Sequence, residues 1–375
     1  MRKILIGLLG SFLTAVLAPM AAGEEILIGH YGSLTGSEAT FGQSTSNGIK
    51  LRASEVNAAG GIKGRRIRII EYDTKGDARE AGSVVTRLVT ADKVVAVLGE
   101  VASSLSLAGA PICQQNGVPM ITPSSTNPRV TQVGNMIFRV CFLDDFQGYA
   151  AAKFATGKLG ARRIAILQDQ AQAYSVGLAD FFEKYARSMG AQIVIRQSYN
   201  GGEQDFSARL TSIRAANPDV IYVPGYYTDA SNIAIQARRL GIRVPLLGGD
   251  GWDSAKLIEI GGEAVEGCYF TNHAAPDEPA MVEFAQKYAD EFGAQPDALA
   301  ALAYDAAGVL FDAIARAPSL DGRAIRDAIA ATRDFKGVTG TINFDENRDV
   351  IKAAVVVQVK NGKLTLAERI EPEKK

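Results

Sequence analysis

Residues able to make or break bonds are scarce in this chain. It carries two histidines, His30 and His273, and three cysteines, Cys113, Cys141 and Cys268, in 375 residues. The cysteines lie far apart, with no C-x-x-C and no metal-type spacing, and each sits in or beside an apolar stretch. They read as small buried residues, and an odd count allows at most one internal disulfide. No G-x-S-x-G elbow, G-x-x-x-x-G-K-[ST] loop or H-E-x-x-H helix occurs, which removes the commonest hydrolase and phosphate-loop chemistries. His30 ends a predicted strand and His273 falls near a predicted crossover, so both are expected in surface or hinge hydrogen bonds. The adjacent acids Asp144 and Asp145 suit a hinge or helix cap better than an acid/base pair. No catalytic residue, metal set or cofactor site is expected.

What remains is the chemistry of holding a ligand. Ser103 and Ser104 close the segment Gly99–Ser104, and Thr122 to Pro128 contains Ser124, Ser125 and Thr126. Each cluster follows a predicted strand and opens a helix. Capping alone explains one such cluster; two on neighbouring strands exceed that need. Hydroxyls with free helix N–H groups form a carboxylate site without a formal positive charge. Further along, Val220 to Val223 runs into Pro224-Gly225-Tyr226-Tyr227, and Pro245 to Leu247 runs into Gly248-Gly249-Asp250-Gly251-Trp252. Glycines let the backbone approach a ligand, and Asp250 supplies a carboxylate. Donors on one side and an acid with tyrosine on the other match a zwitterion, because an ammonium buried without a counter-charge is costly.

The elements that position these residues are short apolar runs alternating with helix-period segments. Strands are expected at Ile26–Gly29, Ile67–Ile70, Val94–Leu98 and Pro119–Ile121, then at Ile164–Leu167, Ile193–Ile195, Val220–Val223 and Pro245–Leu247. Val/Ile-rich runs without alternation suit parallel strands buried on both faces. Helices fall between them at Gly42–Ala59, Ala78–Thr90, Ser104–Asn116, Val176–Met189, Phe206–Ala216 and Ala230–Leu240. The pattern repeats over about 120 residues, predicting two doubly wound parallel α/β lobes, Glu24 to about Leu143 and Asp144 to Thr271. The tail adds helices at Pro279–Phe292, Leu299–Ala317 and Gly322–Ala331. A hairpin then follows through Ile342–Phe344 and Ala353–Lys360, turning at Asn361-Gly362. It is expected to complete the two lobes. Ligands of such sheets bind at the carboxyl ends of the strands.

Composition agrees with this plan. A 47% hydrophobic fraction suits packed cores, and 375 residues exceed one core's usual size. With 40 basic and 41 acidic residues the net charge is −1, which gives no footprint for nucleic acid. Arg2 and Lys3, the apolar run Ile4–Leu17 and Ala21-Ala22-Gly23 read as a secretory signal peptide over residues 1–23. The mature chain would then hold 38 basic and 41 acidic residues, a charge of −3.

Gly32-Ser33-Leu34-Thr35-Gly36, Asn57-Ala58-Ala59-Gly60-Gly61-Ile62-Lys63-Gly64-Arg65, Ile121-Thr122-Pro123-Ser124-Ser125-Thr126-Asn127-Pro128, Tyr174-Ser175-Val176-Gly177-Leu178, Gly225-Tyr226-Tyr227 and Gly249-Asp250-Gly251 resemble periplasmic branched-chain amino-acid binding proteins. The resemblance runs in order over the mature chain. It implies a bilobal type I binding protein with three crossovers, near Leu143, Thr271 and Asn347. Lobe I would be 24–143 plus 272–347, and lobe II 144–271 plus 348–375. It further implies a periplasmic, monomeric partner of an ABC permease that binds a small amino-acid-like ligand. By position, Ser103, Ser124 and Thr126 would hold the carboxylate, Tyr226 and Asp250 the ammonium, and Phe41, Tyr174 and Leu299 the remainder. Asp250 stands where the family often has Glu, Phe41 where it often has Tyr, and Leu299 where an aromatic is frequent. A cysteine pair of some members falls on Gly76 and Ala102. A periplasmic sensor of amides or aromatic carboxylates is the alternative on the same fold.

Overall fold

The computed structural model describes residues 24–372; the signal-peptide reading of residues 1–23 lies outside them. Five strands form the first sheet: β1 (Ile26–Gly32), β2 (Ile67–Asp73), β3 (Ala96–Leu98), β4 (Met120–Thr122) and β5 (Ile137–Arg139). All pair in parallel in the order β2-β1-β3-β4-β5. Helices α1 (Ala39–Ala58), α2 (Ala78–Thr90) and α3 (Ser103–Asn116) and the short α4 (Arg129–Gln132) link them. Helix α5 (Asp144–Lys153) then leads into β6 (Arg163–Asp169), α6 (Ala173–Ser188), β7 (Gln192–Tyr199), α7 (Ser207–Ala215) and β8 (Val220–Val223). The chain continues through α8 (Tyr227–Arg239), β9 (Leu246–Gly248), α9 (Ala255–Gly261) and β10 (Tyr269–Asn272). These strands run β7-β6-β8-β9-β10. The two sheets therefore share one winding order, reversed between their first and third strands, which is where such sheets open a ligand crevice. The fold is the bilobal α/β architecture expected from the sequence.

After β10 come α10 (Pro279–Phe292), α11 (Ala298–Arg316) and α12 (Gly322–Ala330). Helix α11 is alanine-rich, buried along most of its length, and packs lengthwise on α1. The approach is close because α1 has Gly48 at the contact: a Cβ there would stand 2.2 Å from the Ala300 carbonyl oxygen. A two-stranded ribbon follows, β11 (Phe335–Gly337) with β12 (Gly340–Ile342). The chain then returns to the second sheet as β13 (Ala354–Lys360), antiparallel to β10, and β14 (Lys363–Ile370) at the edge.

The C-terminal hairpin differs from the sequence reading. Its turn is at Asn361-Gly362, but β13 pairs with Lys363–Ile370, while Ile342 belongs to the separate ribbon. Lys363–Ile370 alternates apolar with charged residues on a half-exposed edge, a weaker signal than the apolar runs around it. Strands β5 and β10 and helices α5 and α9 were likewise absent from that reading. Cys113, Cys141 and Cys268 are all buried free thiols.

Candidate functional site: a cavity between the two sheets

A small cavity lies between the carboxyl ends of the two sheets. Phe41 of α1, Val101 after β3, Ser124 after β4 and Leu299 of α11 line one side. Tyr174 of α6, Tyr226 after β8, and Asp250 and Gly251 after β9 line the other. Asp250 is the only charged lining residue. Six of the eight residues named from sequence meet here. Ser103 and Thr126 do not line the cavity itself. Ser103 Oγ accepts a hydrogen bond from Asn127 N at 3.3 Å, and Thr126 Oγ1 is buried without a partner. Val101 and Gly251 were not singled out by the sequence reading.

Aromatic rings set the shape. Phe41 meets Tyr226 and Tyr227 edge-on at centroid distances of 5.4 and 5.2 Å, and Tyr174 lies parallel to Tyr226 at 5.5 Å. These contacts seat an apolar side of the cavity against phenol faces. Gly249 makes room for the tyrosine, since a Cβ there would stand 2.3 Å from Tyr174 Oη.

The acid is held by three donors. Gln147 Nε2 and Tyr174 Oη donate to Asp250 Oδ1 at 2.7 and 2.8 Å. His273 Nε2 meets Oδ2 at 2.9 Å. Tyr174 Oη also accepts from Gly251 N at 3.1 Å, so the phenol locks the loop that carries the carboxylate. Burial, then the Asp250 charge, pushes the Tyr174 hydroxyl well above its usual range and keeps it a donor. Gln147 was missed because α5 was missed. His273 was expected in surface or hinge hydrogen bonding, yet it is 5% exposed and bonded to the site acid. His30 is fully buried and pairs with Glu71 at 2.9 Å. Trp252, two residues after Asp250, is buried and donates to the Val223 carbonyl at 3.1 Å.

Across the cavity the groups are neutral donors. Ser124 Oγ, opposite Asp250, is buried with no partner in the protein, as are Tyr226 Oη on Asp250's own side and Thr126 Oγ1 outside the lining, and α3 begins at Ser103 with its N-terminal N–H groups nearby in sequence. Arg139 at the end of β5 fixes the hydroxyl loop. Its guanidinium donates to the carbonyls of Ser125 and Asn127 and to Asp349 Oδ1, tying that loop to the segment returning towards β13. Glu100, at the end of β3, accepts from Ser33 N and Oγ at 2.9 Å and from Ala102 N at 2.5 Å. Burial pushes its carboxyl up to about 7, so it is only partly ionised near neutral pH. Among the described residues no group of three or more His, Cys, Asp or Glu could hold a metal ion.

Two lobes around a small cavity, with one acid on one side and a serine hydroxyl on the other, make the arrangement of a solute-binding protein. A family model for periplasmic binding proteins matches residues 25–363, and the chain belongs to that family, in its Leu/Ile/Val-binding branch. It is 34% identical over 328 residues to Leu/Ile/Val-binding protein homolog 2 of Brucella abortus, covering 87% of each chain. Its fold matches the leucine binding protein LivK from Thermotoga maritima with a TM-score of 0.88 and 44% identity, over 92% of this chain and 99% of that one. The substrate binding protein LivJ from Streptococcus pneumoniae, in complex with isoleucine, also gives 0.88, with 34% identity over 93% and 100%.

Proposed function

We propose that this chain captures a small apolar amino acid of the branched-chain class in the interlobe cavity and delivers it to an ABC permease. The observation that carries the reading is the polarity of the cavity: one buried carboxylate, Asp250, lies opposite the unpartnered Ser124 hydroxyl, beside an apolar wall of Phe41, Val101 and Leu299. The ammonium pairs with Asp250, the carboxylate takes the Ser124 hydroxyl, and the aliphatic side chain packs on the apolar wall. The names of the similar proteins support the same class. In this reading lobe I is 24–143 plus 272–347 and lobe II is 144–271 plus 348–375. Residues 1–23 are a signal peptide, and the mature monomer works in the periplasm without chemical turnover.

Isothermal titration with L-leucine, L-isoleucine, L-valine and their desamino acids tests it. Saturable binding of at least one amino acid, with a melting temperature that rises with ligand concentration, is expected. Binding of the desamino acids alone refutes it and favours the carboxylate sensor.

A further inference from the structure

Asp250 is an acceptor-only group with about four lone-pair positions when ionised. Two donors, Gln147 Nε2 and Tyr174 Oη, occupy Oδ1, and only His273 Nε2 reaches Oδ2. The remaining acceptor position is therefore on Oδ2, beside the imidazole. Because the carboxylate cannot donate, the histidine must carry its proton on Nε2. Its Nδ1 is buried without a partner, and burial pulls the imidazole below its usual pKa despite the neighbouring acid, which together describe a neutral ring. A neutral N–H orients the carboxylate without placing a second cation against an incoming ammonium.

The ring is itself fixed. It stacks on Phe142 at a centroid distance of 3.9 Å and 29° between planes, and His273 N donates to Asn272 Oδ1 at 2.8 Å. Phe142 lies between β5 and α5, and His273 between β10 and α10; these are two of the segments that pass between the sheets.

We propose that His273 is a positioning residue of the ligand site, its Nε2–H holding the Asp250 carboxylate so that the free lone pair of Oδ2 points to the ligand cation. The proposal rests on Asp250 being the ammonium partner. Packing alone gives a different expectation: phenylalanine would keep the stack on Phe142 and would be tolerated.

The test uses the mature protein and titration calorimetry with L-leucine, L-isoleucine and L-valine. H273F keeps a ring and removes the donor; H273Q restores an N–H of similar reach without the ring; H273M is a second donor-free side chain should H273F not fold. A roughly 10- to 100-fold loss of affinity is expected for the donor-free variants, with recovery to within about threefold in H273Q. Unchanged affinity in a folded donor-free variant, or equal loss in H273Q, overturns the proposal. D250N separates the two levels. Loss in D250N with indifference to H273F overturns only the role of His273, whereas a wild-type protein that binds none of the three overturns the ammonium assignment and this role with it.

Discussion

Replacing Asp250 with asparagine is the sharpest perturbation of the site. The carboxylate is 4% exposed and accepts from Gln147, Tyr174 and His273. Asparagine keeps one acceptor oxygen, which can stay with Gln147 and Tyr174 in place of Oδ1. Its NH2 then occupies the position of Oδ2, facing the imidazole and the ligand ammonium. The imidazole can answer by moving its proton to Nδ1 and accepting at Nε2; an ammonium has no such option. The unliganded protein should therefore lose only about 1–3 kcal/mol. The complex loses the counter-charge of a buried cation, worth about 3–5 kcal/mol, or between about two and three and a half powers of ten in Kd. Calorimetry on the amino acid and its desamino acid measures this directly. The amino acid should lose that factor and the desamino acid should not. An amino-acid affinity within fivefold of wild type, in a D250N protein with a normal melt, would refute the reasoning.

Other consequences are open to measurement. Arg139→Met leaves Asp349 and the carbonyls of Ser125 and Asn127 without their buried donor, so urea unfolding should show a loss of about 3–5 kcal/mol. Gly48→Ala drives a Cβ to 2.2 Å from the Ala300 carbonyl, and separating α1 from α11 should cost about 1–3 kcal/mol in the same assay. Asp253 and Asp297 are pushed up to about 7 and about 6, first by burial, and for Asp253 also by the Asp297 charge. Both native values lie above the unfolded value of about 3.9. Their ionisation penalty is therefore fully present above pH 7 and is relieved as pH falls through those values. Thermal melts from pH 8 to pH 5 should show that gain, and Asp297→Asn should flatten it; an unchanged slope in the variant would count against the pair.

The sheets were legible because their strands are apolar on both faces. Val220–Val223 is buried at all four positions, and such a run has few alternatives in a globular chain. The site loops were legible for a related reason: parallel sheets place ligands after their strands, so the loops holding Ser124, Tyr226 and Asp250 could be picked by position, and the family resemblance singled out the residues within them. The groups that hold Asp250 were not. Gln147 sits on α5, whose residues Asp144–Lys153 mix acids, aromatics and alanines with no clean apolar stripe, because that helix is buried on several sides. His273 is 23 residues from its partner in sequence, and no local pattern distinguishes a histidine facing a carboxylate from one facing water. Trp252 shows the converse: it is next to the site in sequence but turned into the core of its lobe.

The seam between the lobes is held largely by hydrogen bonds between neutral groups. It includes Thr40 Oγ1 with Ser254 Oγ at 3.0 Å, Thr228 Oγ1 to the Ser37 carbonyl at 2.8 Å, and Ala173 N to Ser104 Oγ at 2.9 Å. Asn127 Nδ2 adds a bond to the Ala173 carbonyl at 2.8 Å, and Ala298 N one to Asp253 Oδ2 at 2.8 Å. Four of these join neutral groups, each worth about 0.5–1.5 kcal/mol net once water competes for the same atoms. The fifth brings Asp253 towards Asp297, and the repulsion between these acids offsets part of the gain. The cavity adds its own asymmetry, with Asp250 on one lobe and the unpartnered Ser124 hydroxyl on the other. A zwitterion is therefore satisfied only when both lobes touch it, and a ligand shifts a closing equilibrium only by what it gains in the closed state. An amino acid gains both ends at once; an amine or a carboxylate alone gains one.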